Sequence, residues 1–240
     1  GMKTRQTLIL GNERFRVGPW HADPHIAYLS LTPDVPRPSV AGLQRCLRRL
    51  DGEGYSSIIT AALHPEEAAA FIQAGFSEFD RLRVLSHPLR ELDPPRRRPD
   101  PSLRLRRARH ADREAALAVD ARAFPTFWRL DADGLDEAIH ATPKSRFRVA
   151  VRDGRLVGYA VTGRAGSQGF LQRLATDPDH AGTGIGAELV LDALRWGARR
   201  RVTRVLVNTQ EGNERALELY RRLGFQLTPT DLVVLTRPIP

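Results

Sequence analysis

Lysine is almost missing from this chain. Of the 37 basic residues, only Lys3 and Lys144 are lysine and the other 35 are arginine, a bias that genome composition explains as well as function does. Cysteine is nearly absent too: Cys46 stands alone, which excludes an intramolecular disulfide and any multi-cysteine zinc or iron–sulfur site. Long hydrophobic runs are missing. The longest are short stretches such as 58–63, so no helix is expected to span a membrane. The residues after Met2 lead into no apolar stretch of signal-peptide type. The cytoplasm is the expected compartment. Aromatic side chains make up 7%, and none interleave with arginine in the stripe that nucleic-acid binding favours, so no nucleic-acid partner is expected. The seven histidines are scattered; His21 and His25 are four apart, but Asp23-Pro24 between them argues against a ligand-bearing helix, and no metal is expected.

What is present is ordinary material for a globular core. The chain has 240 residues, 41% of them hydrophobic and 27% charged, enough for one large domain or two modest ones. The net charge of +9 is uneven: residues 1–92 carry +1, and residues 103–240 carry +7. A basic domain suits nucleic acid or a small polyanion such as a nucleotide cofactor. Between the halves, residues 92–102 hold four prolines, which neither a helix nor a central strand tolerates. The expected organisation is therefore an N-terminal lobe over 1–92, a Pro/Arg-rich linker over 93–102 with Arg96, Arg97 and Arg98 in solvent, and a second domain over 103–240.

In the second domain the pattern alternates. Strands are expected at 103–107, 147–151, 156–162, 169–176 and 204–208, with a last one inside 226–236. Helices are expected at 110–123, 131–141, 184–200 and 213–223. Asp153-Gly154 between two apolar runs is a strong hairpin signal. The order β-α-α-β-β-β-α-β-α-β makes a mixed α/β domain, with an antiparallel meander followed by a βαβα unit.

The sharpest local signal is the glycine turn Asp177-Pro-Asp-His-Ala181-Gly182-Thr183-Gly184-Ile185-Gly186, after a strand and opening a helix. Glycine permits positive φ and close backbone approach, and the first amides of a helix make an anion site. Pyrophosphate is the natural occupant; a bare turn before a helix is the alternative. Gly182, Gly184 and Ala187 also fit the dinucleotide pattern G-x-G-x-x-A, but the next strand ends in Asn208 rather than an acidic residue, and too little chain follows for a dinucleotide fold. A second constellation follows: Asn208, then Asn213-x-x-Ala216-x-x-x-Tyr220-x-x-x-Gly224-Phe225. Ala216 and Tyr220 share one helix face, and Gly224 suits the position just past a helix end.

Taken together, the two motifs resemble the GNAT acetyltransferase superfamily over residues 103–240. The resemblance implies a mixed, mostly antiparallel sheet with a central βαβα unit, and acetyl-CoA as acyl donor. It implies that Gly182, Thr183, Gly184, Ile185 and Gly186 hold the pyrophosphate. Leu174, Ala175 and Thr176 would lie on a splayed strand and pair with pantetheine, Asn208 and Asn213 would contact the pantetheine arm, and Tyr220 would protonate the departing thiolate. Ala181 stands where that family usually has Arg or Gln, and Thr183 where a basic residue is frequent. The acceptor implied is a small-molecule or peptide amine. Residues 169–174 offer no carboxylate as general base; Asp177, a water chain or solvent alone remain open. Trp128, in 124–129, either binds acceptor or packs. The chain would act as a monomer or a homodimer.

Residues 43–89 read as a faded copy of 187–239, with helices at 43–50 and 65–74 and strands at 57–62 and 81–86. Gly75-Phe76 follows Phe71 as Gly224-Phe225 follows Tyr220. Before this copy, Pro36 and Pro38 stand where amide donors would be needed. The expectation is two lobes, the first a degenerate GNAT-like half-domain without cofactor, structural or substrate-shaping. The leading function is acyl-CoA-dependent N-acetyltransfer to a primary amine. A non-catalytic acyl-CoA-binding module is the alternative.

Overall fold

The computed structural model describes residues 5–32, 37–90, 92 and 100–240. Residues 93–99 of the expected linker, and Pro36, lie outside the described residues. Two compact units result. The first comprises 1–83, 210–212 and 229–240; the second comprises 84–209 and 213–228.

The first unit begins with three strands that the sequence reading left unassigned: β1 (Gln6–Leu10), β2 (Glu13–Pro19) and β3 (Ile26–Leu31). They form an antiparallel meander. Helix α1 (Val40–Gly52), strand β4 (Ser57–Thr60), helix α2 (Pro65–Gln73) and strand β5 (Ser77–His87) follow. Ser39 caps α1 by accepting from the Gly42 amide at 2.9 Å, and Pro65 opens α2 where its missing N–H has no helical partner to lose. β4 lies parallel to β3. The core of the unit is Phe15, Leu29, Leu43, Leu50, Ile58 and Phe71, all within 1% of complete burial. Burying each such side chain contributes about 1.5–3 kcal/mol.

The second unit repeats this connectivity after an extra strand and two extra helices. They are β6 (Leu103–Arg107), α3 (Arg113–Ala123) and α4 (Ala132–His140). The meander is β7 (Lys144–Arg152), β8 (Arg155–Ala165) and β9 (Gln168–Thr176), followed by α5 (Ile185–Arg199), β10 (Arg204–Gln210), α6 (Glu214–Arg222) and the short β11 (Gln226–Leu227). The hairpin between β7 and β8 turns on Asp153 and Gly154, with φ of 50° and 78°, as the sequence pair requires. β10 is parallel to β9. One face of the sheet packs on α5 and α6 through Leu85, Val157, Leu189, Leu194 and Tyr220; the other packs on α3 and α4 through Val119, Leu135, Val149 and Tyr159. The expected mixed α/β, mostly antiparallel architecture with a central βαβα unit is present.

The units do not divide at the linker alone. The strand β12 (Leu232–Pro238) belongs to the first unit, inserted antiparallel between β4 and β5. The end of β5, from Val84, belongs to the second unit, between β10 and β11. Expectations of 1–92 and 103–240 thus differ from the compact units by one exchanged strand each way, which a linear reading of composition does not register.

His87 fastens the exchanged end of β5. Its Nε2–H donates to the Leu223 carbonyl at 3.0 Å, and Nδ1 accepts the Leu89 amide at 3.0 Å. The ring stands edge-on to Phe225 with centroids 5.2 Å apart. Gly224, with φ +98°, ends α6 so close to this ring that a Cβ there would sit 2.8 Å from Nε2. Both nitrogens are used by the neutral ring, and burial lowers the His87 pKa below its ordinary 6.5, opposed by the Leu223 bond. The neutral form is the one the fold holds, so the stabilisation is present above pH 6.5 and is lost as pH falls below it. His87→Phe should therefore be less stable than the parent at pH 7.5, with the gap narrowing at pH 5.5. Urea unfolding at both pH values checks this.

Candidate functional site

The site is a break in the sheet. The ladder between β9 and β10 runs from Gln168 opposite Arg204 to Leu171 opposite Val207 and then stops. Both strands continue, β9 to Thr176 and β10 to Gln210. Residues 173–176 therefore keep β8 on one edge and, among the described residues, have no strand on the other. A bulge marks the opening: Val161 of β8 faces Arg173 and Thr162 faces Leu171, so Gln172 has no register partner. A bulge of this kind bends its strand and increases local twist. Leu174, Ala175 and Thr176 lie on the open stretch of β9, and Asn208 is the exposed residue just past the last rung on β10.

The turn after β9 is tightly built. Asp177 is 4% exposed, and its amide donates to the Val157 carbonyl at 2.8 Å. Its carboxylate accepts the Asp179 amide at 2.9 Å and the Arg122 guanidinium at 2.8 Å. Arg122 also reaches Asp179, holding that carboxyl below the usual carboxylate range. Both oxygens of Asp177 thus accept hydrogen bonds within the turn. Thr183 donates its amide and its hydroxyl to the His180 carbonyl, at 3.3 and 2.6 Å.

Gly182 and Gly184 have φ of +77° and +88°, a conformation that glycine adopts at least cost. A Cβ at either would meet nothing within 4 Å, so the turn faces open space. Gly184 precedes α5 with no side-chain cap, and the first intrahelical bond is from Glu188 to the Gly184 carbonyl. The amides of Ile185, Gly186 and Ala187 point out of the helix start with the dipole behind them. Such a cradle fits a pyrophosphate. Sequence reasoning found no basic side chain here and missed Arg152 on β7. Its guanidinium lies 3.0 Å from Thr183 Oγ1 and 3.2 Å from His180 Nδ1, and is held from behind by Asp100 at 2.8 Å. No spacing rule links positions 152 and 183; only the sheet joins them.

Asn213 is the N-cap of α6, and its side-chain oxygen accepts the Ala216 amide at 3.1 Å. Its amide NH2 remains available. Tyr220 lies on the buried face of α6, 5% exposed, its ring 5.3 Å from Phe225. Among the described residues its hydroxyl has no hydrogen-bond partner. Burial raises its pKa, which keeps the phenol protonated at neutral pH.

On the other face, a buried carboxylate fixes the loop between α3 and α4. Asp120 is fully buried and accepts from Tyr159 Oη at 2.6 Å, from Arg173 Nε at 2.8 Å and Nη2 at 2.9 Å, and from the Leu130 amide at 2.8 Å. Arg173 also bonds the Trp128 carbonyl at 2.9 Å and stacks 3.5 Å over the Phe124 ring. Trp128 is thus tied to β9 through its backbone, one residue from the bulge. These residues are spread over 120–173, and nothing in the sequence marks them as a group. Among the described residues no cluster of His, Cys, Asp or Glu could hold a metal, and no helix is long and apolar enough to cross a membrane.

Known proteins resemble this chain in sequence and fold. Residues 113–225 match the model of the Acetyltransferase (GNAT) family. A mycothiol acetyltransferase of Saccharomonospora viridis is 31% identical over 185 residues, covering 70% of this chain and 60% of that protein. One of Acidimicrobium ferrooxidans is 33% identical over 164 residues, covering 63% and 50%. The chain thus spans roughly half to three fifths of the length of these relatives. Among solved structures, a tandem GNAT protein from the clavulanic acid biosynthesis pathway superposes with a TM-score of 0.67 at 16% identity, over 95% of this chain and 79% of that one. A GCN5-related N-acetyltransferase from Kribbella flavida gives 0.64 at 19%, over 99% and 90%. Both carry the same fold.

Removing the charge at the centre of the loop anchor leaves the Arg173 guanidinium without its partner. Asp120→Asn should lower unfolding free energy by about 3 kcal/mol, since breaking a buried pair costs more than the pair contributes. Chemical denaturation of the variant beside the parent measures this.

Proposed function

From the match of residues 113–225 to the GNAT acetyltransferase family, we propose that the chain is an acyl-CoA-dependent N-acyltransferase, moving acetyl from acetyl-CoA to a primary amine by direct attack. The observation that carries this is the conjunction of an uncapped helix start with a sheet that opens immediately before it. The amides around Gly182, Gly184, Ile185 and Gly186 take the pyrophosphate, with Arg152 adding charge beside Thr183. The free edge of Leu174, Ala175 and Thr176 pairs with the pantetheine amides, and Asn208 and the Asn213 amide lie along the same path.

The bound thioester supplies an activated acyl group and a thiolate leaving group. An amide on the free edge of β9 stabilises the oxyanion that forms when the amine adds. Tyr220, kept protonated by burial and otherwise unpartnered, gives its proton to the departing sulfur. No carboxylate lies on β9 to deprotonate the amine, and an amine of modest pKa needs none, since water accepts the proton. The loop that Asp120 and Arg173 fix at Trp128 borders the acceptor. The similarity to mycothiol acetyltransferases favours a small-molecule amine as that acceptor.

The first unit is read as a degenerate GNAT-like half that shapes and supports. Phe76 donates to the Phe71 carbonyl at 3.0 Å as Phe225 does to Tyr220 at 2.9 Å, and Gly75 and Gly224 have φ of +96° and +98°. The start of α1 is already filled. The Glu13 carboxylate accepts from the Ser39 amide and hydroxyl, and a Cβ on Gly42 would run into its Oε2. An internal anion occupies the place where a phosphate would sit.

Two experiments test the assignment. In calorimetry the parent should bind one acetyl-CoA per chain, and Gly184→Asp should abolish binding while folding normally, because aspartate tolerates positive φ but opposes a pyrophosphate. Unchanged affinity, or two sites per chain, overturns the reading. Tyr220→Phe should lower kcat about 10²-fold on an accepted amine with acetyl-CoA affinity nearly unchanged. An unchanged kcat favours the alternative, a non-catalytic acyl-CoA-binding module.

A further inference from the structure

A second concentration of positive charge lies away from the glycine turn. β7 and β9 both run antiparallel to β8, so the start of β7 is at the opposite end of the sheet from Thr176. Helix α5 has 15 residues and is about 22 Å long; the turn sits at its N-terminus, and Trp196 and Arg200 lie at its other end. There a pocket of about 470 Å³ opens. Six arginines line it: Arg107 and Arg109 at and after the end of β6, Arg113 of α3, Arg146 and Arg148 of β7, and Arg200.

The local structure explains only part of this charge. Arg146 and Arg148 share one carboxylate, Asp192, at 3.1–3.3 Å. Arg113 pairs with Asp136. Asp112 nearby is closed on Arg106 in a two-pronged bond at 2.7 and 2.9 Å. With Asp112 and Arg106 counted beside the lining, three carboxylates therefore face seven guanidinium groups. Arg109 shares the field of an Asp112 already closed on Arg106, and among the described residues Arg107 and Arg200 have no acidic partner. The helix dipole accounts for Arg200 alone. Arg107 is directly opposite Arg148 across the β6–β7 ladder, a like-charge pair that weakens a sheet. His110 adds two more nitrogens at the rim. Trp196 is 4% exposed beneath the Arg200 guanidinium, 5.3 Å from its ring centroid, and holds that arginine in place.

We propose that this pocket is a second anion-binding site, for a small molecule carrying two or more phosphate groups. Four uncompensated charges call for a multiply charged ligand, and planar guanidinium groups bind phosphate oxygens in pairs. A concavity of this volume suits a small ligand rather than the extended phosphate track of a nucleic acid. The site stands on its own lining and does not depend on acyl transfer.

The probe is inorganic triphosphate, titrated calorimetrically into the full chain at physiological salt. Three proteins are compared: the parent, Gly184→Asp, and the double variant Arg109→Ala/Arg200→Ala, whose side chains are both exposed. Gly184→Asp removes the glycine turn as a competing site and should retain a triphosphate site. The double variant should lose affinity at that site by about tenfold or more, with acetyl-CoA binding unchanged. Equal affinity in the double variant, or no triphosphate site in Gly184→Asp, overturns the proposal. So does a short DNA duplex that competes with triphosphate and binds more tightly, which would make the arginines a nucleic-acid surface.

Discussion

A backbone amide buried within a sheet needs a partner, and the end of β9 leaves that requirement open on one edge. Past Leu171 the strand is bonded on one edge only, while β10 diverges from Val207. The rest of the second unit serves that opening. The bulge at Gln172 turns the strand, Asp177 and Arg122 fix the turn that follows, and the uncapped start of α5 brings unpaired amides to the same end. A free strand edge inside a domain is a liability unless something pairs with it. A ligand rich in amides and ending in phosphates satisfies both the edge and the helix start.

The same connectivity appears twice, and the two copies treat their helix starts in opposite ways. α1 is capped by Ser39 and faced by Glu13, so its amides and dipole are satisfied from within. α5 opens on Gly184 with no side chain at all. The start of α1 thus meets a carboxylate of its own chain, and the start of α5 meets no side-chain cap. The paired Phe71 and Tyr220 differ in the same spirit, since the ring packs on the following phenylalanine in both and only one retains a hydroxyl.

Much of the second unit was legible because its signals are local. Asp153-Gly154 dictates a hairpin, the glycines from 182 to 186 dictate a turn that leaves amides exposed, and the 3.6-residue pattern dictates α5 and α6. The meander β1–β3 was missed although Gly11-Asn12, with Gly11 at φ +67°, is a hairpin signal between β1 and β2. Arg152 and the Asp120–Tyr159–Arg173 group were missed for a physical reason. Their partners lie 28 to 53 residues away and meet only when the sheet is assembled. Asn213 shows a third limit: motif position alone does not disclose that its oxygen is spent on the helix cap.

The exchanged strand carries a consequence for synthesis. β12 closes the first unit's sheet through bonds such as Thr236 to Ile58 and Leu235 to Thr60, across 178 and 175 residues of sequence. A chain emerging from the ribosome presents β4 and β5 long before the strand that lies between them exists. The first unit cannot complete itself as it is made, so N-terminal-first folding is denied to it. Its apolar strand edges must wait, exposed or sheltered by a chaperone, until the last rung arrives. Loop closure over that distance is slow relative to local hairpins. The sheet of the first unit is therefore completed only after the whole of the second unit's chain has been made.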